Sequence, residues 1–230
     1  MPAEQRGTNM MGRSHALTGL ATGLGVSMYA VTLSVPAAVL GTAVCTGASI
    51  LPDIDHPDST VSNVYGPITR GFSWVVARAT GGHRRGTHSI AGVALLALLA
   101  QVAVMYRHNV LAQVALCAVL VLALAGVIRL LKIPGWIDDV APIPVVLAVV
   151  MLTDVDLSVV PPALALGCLV HIAGDVVTLQ GCPLWWPMSG ENVRLAWFRT
   201  NGTCERRVVV PIVMLLIGAE ILWKVVAFLH

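Results

Sequence analysis

Long apolar runs separated by short polar stretches set the pattern of this chain. The runs are Ala16–Val35, Pro36–Pro52, Ser89–Tyr106, Asn109–Ile128, Val140–Thr153, Leu157–Val170 and Val208–Trp223. A bilayer crossing takes roughly 20 mostly apolar residues, fewer when flanking side chains snorkel. Read as spans, the runs predict seven helices at about 16–35, 36–52, 89–106, 109–130, 140–153, 157–178 and 207–229. The expected fold is all-α: a polytopic membrane helical bundle in one domain over residues 1–230. The shortest run, Val140–Thr153, contains Pro142 and Pro144, so a re-entrant path is the alternative and would leave six spans. Its path matters, because without a crossing there His171 would lie on the opposite face from His15 and Asp53.

Two longer loops have character. Between Ser59 and Thr80, Val61, Val64, Tyr65, Ile68, Phe72, Val75 and Val76 recur at three- and four-residue intervals, with Arg70 and Arg78 off that face. The spacing predicts an amphipathic helix in the headgroup region or against the bundle, capped by Ser59 or Thr60. The segment 179–207 carries Pro183, Trp185, Trp186, Pro187, Asn201 and Gly202 and predicts irregular chain, its tryptophans suiting a membrane interface. Gly19, Gly23 and Gly25 in the first run resemble a close helix-packing face.

Composition agrees with the membrane reading: 57% of the 230 residues are hydrophobic and 11% charged, with mean hydropathy +0.82. A soluble domain carries about twice that charge fraction. No small-residue cleavage site follows the first run, so a retained span is expected rather than a signal peptide. The five cysteines (Cys45, Cys117, Cys168, Cys182 and Cys204) are odd in number and form no CxxC pair, which predicts neither a disulfide framework nor a thiolate metal site. The net charge of +2 says little, but its distribution says more. With seven spans, Arg6, Arg13, Arg70, Arg78, Arg84, Arg85, Arg129, Lys132, Arg194, Arg199, Arg206 and Arg207 share one face, and Arg107 stands alone on the other. The positive-inside rule then places the N-terminus in the cytoplasm and the C-terminus outside a multi-pass plasma (inner) membrane protein.

Residues of metal-ligand type cluster at the ends of the runs, where hydrocarbon tolerates carboxylates and imidazoles only for a reason. Leu51-Pro-Asp-Ile-Asp-His-Pro57 places Asp53, Asp55 and His56 within one turn of chain, between prolines that restrict the backbone. A plain helix cap would need only one of the acids. Gly82-His-Arg-Arg-Gly-Thr-His-Ser89 adds His83 and His88, with Arg84 and Arg85 suited to grip an anionic oxyester. The plain reading, a basic juxtamembrane stop, accounts for the arginines and not for the histidines. His171-Ile-Ala-Gly-Asp175 sets two ligands four apart on one helical face, where one metal or a simple His–Asp hydrogen bond would use them. His15 opens the first run, and Glu205 before Arg206-Arg207 is a further candidate ligand or acid–base group, or half of a surface ion pair. His108 and His230 fall on the opposite face and are excluded.

Taken in order, these blocks resemble the LexA-regulated, membrane-bound metal-dependent hydrolases (YdjM-like). The resemblance runs from Ser14-His15 through the Leu-Pro-Asp-Ile-Asp-His-Pro and His-Arg-x-x-Thr-His-Ser blocks to His171-x-x-x-Asp175, Gly181-Cys-Pro-Leu-Trp-Trp-Pro187 and Glu205-Arg206. One departure is Arg85-Gly86, where members more often carry Gly directly after the first Arg. That family in turn resembles zinc-dependent phospholipase C and related single-strand nucleases. The likeness implies His15, Asp53 or Asp55, His83 or His88, His171 and Asp175 as ligands of one to three divalent ions, zinc being the expected metal. It implies metal-activated water attacking a phosphoester, with Asp53 or Asp55 as bridging ligand and base and Arg84 or Arg85 on the phosphate. Membrane lipids are the expected partners and a phospholipid headgroup or similar phosphoester the expected substrate; no nucleic-acid partner is expected. The rivals are a metal-clamped structural or regulatory protein and a metal or proton transporter, the latter requiring polar residues at mid-membrane depth.

Overall fold

The computed structural model describes residues 3–30, 33–131, 140–195 and 202–229. Lys132, Arg199, Asn201 and His230, all used in the reading above, lie outside the described residues, as do the side chains of Arg6, Arg206 and Lys224. The described residues form α1 (Ala3–Tyr29), α2 (Val35–Ala48), α3 (Pro67–Ala79), α4 (Ile90–Met105), α5 (Val110–Leu130), α6 (Pro142–Leu152), α7 (Val160–Val176) and α8 (Val210–Leu229). Short 3-10 turns occupy Leu51–Asp55, Val61–Asn63, Gly86–His88 and Leu157–Val159, and a π-turn at Glu205–Val209 leads into α8. No strand occurs among the described residues, only an isolated bridge between Cys182 and Val193.

Polar side chains start several helices where the apolar runs begin. The Ser34 hydroxyl accepts from the Ala37 N–H, Ser89 from Gly92, and Asn109 from Leu111 and Ala112. Helix α1 starts at Ala3, about three and a half turns before the first apolar run. Its polar opening contains Glu4, Gln5 and Met10, good helix formers that prolong a helix already seeded downstream.

Helix α2 is the hub of the bundle, and small residues let three neighbours reach its backbone. A Cβ on Gly19 would lie 2.7 Å from Ser49 Cβ, and one on Gly23 would lie 3.0 Å from Thr42 Cα, so α1 packs tightly along α2. Gly47 meets Ala123 of α5, and Gly167 of α7 faces the Cys45 carbonyl and Ala48. Such contacts replace the hydrophobic drive that is absent between helices in lipid. Gly25, grouped above with Gly19 and Gly23, points elsewhere, toward Glu220 of α8.

By length and composition, Val35–Asp55, Val110–Leu130 and Leu157–Val176 are long and apolar enough to cross a membrane. Ile90–Met105 and Pro142–Leu152 are apolar but shorter. The 11 residues of α6 rise only about 16 Å, against a hydrocarbon core of roughly 30 Å. The chain nevertheless changes ends here. Arg129 near the end of α5 hydrogen-bonds the Asn63 carbonyl, whereas Val159 packs on Gly41 in the first half of α2. Helix α7 then returns His171 to the end of the bundle that holds His15.

The amphipathic segment starts later than expected, and of its two expected settings its apolar stripe takes the outward one. Val61 and Val64 are core residues of the preceding turn, and α3 begins only at Pro67, after Gly66 in a left-handed conformation (φ +56°). Ser59 therefore binds Ser62 instead of capping the helix. Within α3, Thr69 and Ser73 are buried while Ile68, Phe72 and Val75 face outward, Ile68 at 79% exposure. A greasy outer face on a helix at one end of an apolar bundle suits lipid rather than water.

Enlarging Gly167 to Val should drive α7 off α2 and lower stability by about 1–3 kcal/mol, the usual cost of overpacking. Gly71→Ala on the open face of α3, where a Cβ meets nothing within 4 Å, should raise it by about 0.5–1 kcal/mol. Thermal unfolding of both variants in one detergent checks the opposite signs.

Candidate metal centre

Four stretches of chain converge at one end of the bundle: the 3-10 turn after α2, the loop 82–89 before α4, the final turns of α7, and α1 at His15. Asp53, His88, His171 and Asp175 meet at its centre. The Nε2 atoms of His88 and His171 lie 3.2 Å apart. Asp53 Oδ1 is 3.5 Å from the first and 3.6 Å from the second. Asp175 Oδ2 is 3.6 Å from His88 Nε2 and 3.7 Å from His171 Nε2. Each of the two acid oxygens thus closes a triangle with the same pair of imidazole nitrogens, at donor–donor spacings that suit ligands of a metal ion.

Two further observations fit a cation there. Asp175 Oδ2 is buried and lacks a hydrogen-bond partner among the described residues; a buried carboxylate oxygen left so would be expensive without one. The His171 Nδ1–H donates to the Ser49 carbonyl at 2.8 Å, which fixes the tautomer and turns the Nε2 lone pair inward. Spacing matters as well: a helical i, i+4 pair brings His171 and Asp175 to one face, as the motif predicts.

Asp55 has a different place from Asp53. It is 1% exposed and accepts the His83 Nδ1–H at Oδ1 (2.8 Å), and the Arg84 backbone N–H (3.0 Å) and the Thr87 hydroxyl at Oδ2. Thr87 Oγ1 in turn lies 2.9 Å from His88 Nδ1. Asp55 thus organises the 83–88 loop and aims His88, the carboxylate–imidazole pattern that supports metal ligands from behind. Holding the loop so tightly forces Arg84 to φ +57°, a region non-glycine residues seldom occupy. Burial disfavours a charged His88, but hydrogen bonds and charges from Asp53 and Asp55 outweigh it and lift its pKa to about 9.

The other sequence candidates distribute around this core. The His15 ring stacks on His171 (centroids 3.9 Å apart), with Nε2 3.7 Å from Asp175 Oδ1. His15, His171 and Asp175 form one group of potential ligands, and Asp53, His83 and His88 form another. The Arg84 guanidinium pairs with Asp175 Oδ1 (3.2 Å) and reaches the Gly181 carbonyl. Arg85 is exposed and extends past Gly81 toward Gly190. His56 packs edge-on against His83, and its Nδ1 accepts the Asp58 N–H. Glu205 is buried in the π-turn before α8. Trp186 packs over Gly81 and Gly86 and braces the 82–89 loop, while Trp185 is exposed. Burial pushes the Cys182 thiol up to about 12, so it stays inert. Glu220 escaped the sequence reading because it lies inside the last apolar run; an acid within such a run was the available signal.

The helices and the His/Asp cluster define a class: an all-helical membrane protein with a buried donor set able to hold a metal ion. Residues 10–230 match the YdjM inner membrane protein family, and the chain belongs to that family. No curated protein and no solved structure matches it, so the remoter likeness to phospholipase C finds no counterpart there.

Asp53→Ala should abolish metal retention, whereas Asp55→Asn, which disturbs only the support of His88, should weaken affinity about 10–100-fold. Competition against a chromophoric chelator separates the two. Affinity should also climb as pH rises toward about 9. Below that value His88 carries a proton that a metal must displace, so titrations at stepped pH should show proton release on loading.

Proposed function

We propose that this protein is a metal-dependent hydrolase of phosphoesters working at the membrane face, with zinc as its ion. The observation that carries the reading is the buried His88–His171 pair flanked by Asp53 and Asp175, with the orphaned Asp175 oxygen facing it. Asp53, His88, His171 and Asp175 would hold the first ion; His15 and His83 extend the set toward a second. Two imidazoles and two carboxylates suit zinc better than a hard cation that takes oxygen ligands only. A bound divalent ion supplies Lewis acidity and lowers the pKa of its water toward ~7.

The chain's own residues supply the rest. Asp53 is 20% exposed at its side chain while His88, His171 and Asp175 are at 0–1%, so access to the centre is from the Asp53 side. Its carboxylate is the group placed to take a proton from the attacking water. Arg84, pre-set by Asp175 and the Gly181 carbonyl, offers its remaining N–H groups to a phosphoryl oxygen. Arg85, out toward Gly190, meets the part of the substrate that lies outside the cluster. The cluster sits at the ends of apolar helices, the depth of lipid headgroups, which favours a lipid phosphoester substrate. The same depth and the basic loops favour the cytoplasmic face for the site and the N-terminus.

Metal analysis combined with a phosphoester panel tests this on wild type, Asp53→Ala and His171→Ala. Expected are stoichiometric zinc and ester hydrolysis in wild type, with both lost in the variants. Zinc retained with no turnover on any ester would reduce the centre to a structural clamp, and a wild type that binds no metal would end the proposal.

A further inference from the structure

The metal cluster leaves unused a groove of about 1380 Å³ on another side of α1, walled by α1, α2, α5 and α8. Leu17, Leu20 and Leu24 line it at helical spacing, while His15, Gly19 and Gly23 of the same helix face α2 and α7. Arg13 and Ala30 both border the groove, and the α1 backbone between them rises about 25 Å, so the groove runs most of the depth of a hydrocarbon core. Arg13, exposed, stands at the end nearest the metal cluster, whereas Glu220 lies deep, against Gly25.

We propose that this groove binds the hydrocarbon chain of an anionic membrane lipid, with its phosphate at Arg13. The lining is mostly apolar and the Ser27, Thr42 and Thr46 hydroxyls bond within the protein, so hydrocarbon fills the channel at little cost. The exposed guanidinium fixes the orientation by attracting a lipid phosphate to the Arg13 end. Ser14 also borders the groove, and the next residue, His15, stacks on His171, so the bound headgroup lies at the level of the metal centre. Lipid binding here stands whether or not that centre hydrolyses the lipid.

The test is native mass spectrometry of the full-length protein, purified in mild detergent and re-loaded from mixed vesicles of phosphatidylglycerol and phosphatidylcholine. Wild type should retain phosphatidylglycerol in preference to phosphatidylcholine. Arg13→Ala, an exposed change that leaves the core intact, should lower that retention about fivefold, the worth of one basic residue at an anionic surface. Leu24→Trp should lower retention of both lipids by filling the groove. Asp53→Ala should retain lipid like wild type, which separates this site from the metal chemistry. Equal retention in wild type and Arg13→Ala, or no preference for the anionic lipid, would overturn the proposal. So would Leu20→Cys cross-linking two copies through a lipid-free groove.

Discussion

A carboxylate cannot stand uncompensated at the end of an apolar bundle, and the site is built around that constraint. Asp175 satisfies one oxygen through Arg84 and leaves the other facing the imidazoles of His88 and His171. Asp55 is satisfied entirely from the 83–88 loop. Asp53 and Asp175 each face the His88–His171 pair, so without a cation two carboxylates share one low-dielectric pocket. A metal removes that conflict, and the arrangement of the surrounding helices is then understandable as the frame that holds four donors in place.

That frame depends on the absence of side chains as much as on their presence. Gly19, Gly47 and Gly167 let α1, α5 and α7 reach the backbone of α2. The closest approach of α7 is near Cys45 and Ala48, one turn before Ser49, whose carbonyl fixes His171. Packing between helices and aiming of a ligand are therefore the same contact seen from two sides. The strained Arg84 backbone belongs to this logic too, since one residue delivers a main-chain N–H to Asp55 and a side chain to Asp175.

Much of this was legible in the sequence because polar residues are conspicuous in apolar runs. The blocks at 51–57, 82–89 and 171–175 stood at run ends, and the fold brings those ends together. The division between Asp53 and Asp55 was not legible. One intervening residue of a 3-10 turn sends Asp53 to the Nε2 atoms of His88 and His171 and Asp55 to His83 and the Nδ1 side of His88, a division set by how a loop about thirty residues away returns. Helical periodicity likewise found the apolar stripe of α3 but not the medium it faces, because a stripe toward lipid and a stripe toward a core have the same period. Glu220 was hidden by averaging, one acid among fifteen apolar or small neighbours in its run. The span count was legible only as far as helix length allows, and α6 is too short for length alone to decide its path.

The orientation of α3 has a consequence for how the centre responds to its surroundings. Its inner side rests on the 51–55 turn that carries Asp53 and Asp55, and its outer side presents Ile68, Phe72 and Val75. A single layer of helix thus separates the carboxylates from whatever wets that outer face. Bilayer thickness, lateral pressure or a stripping detergent acts on the same body that positions the ligands, so the solvent of this centre includes the membrane itself.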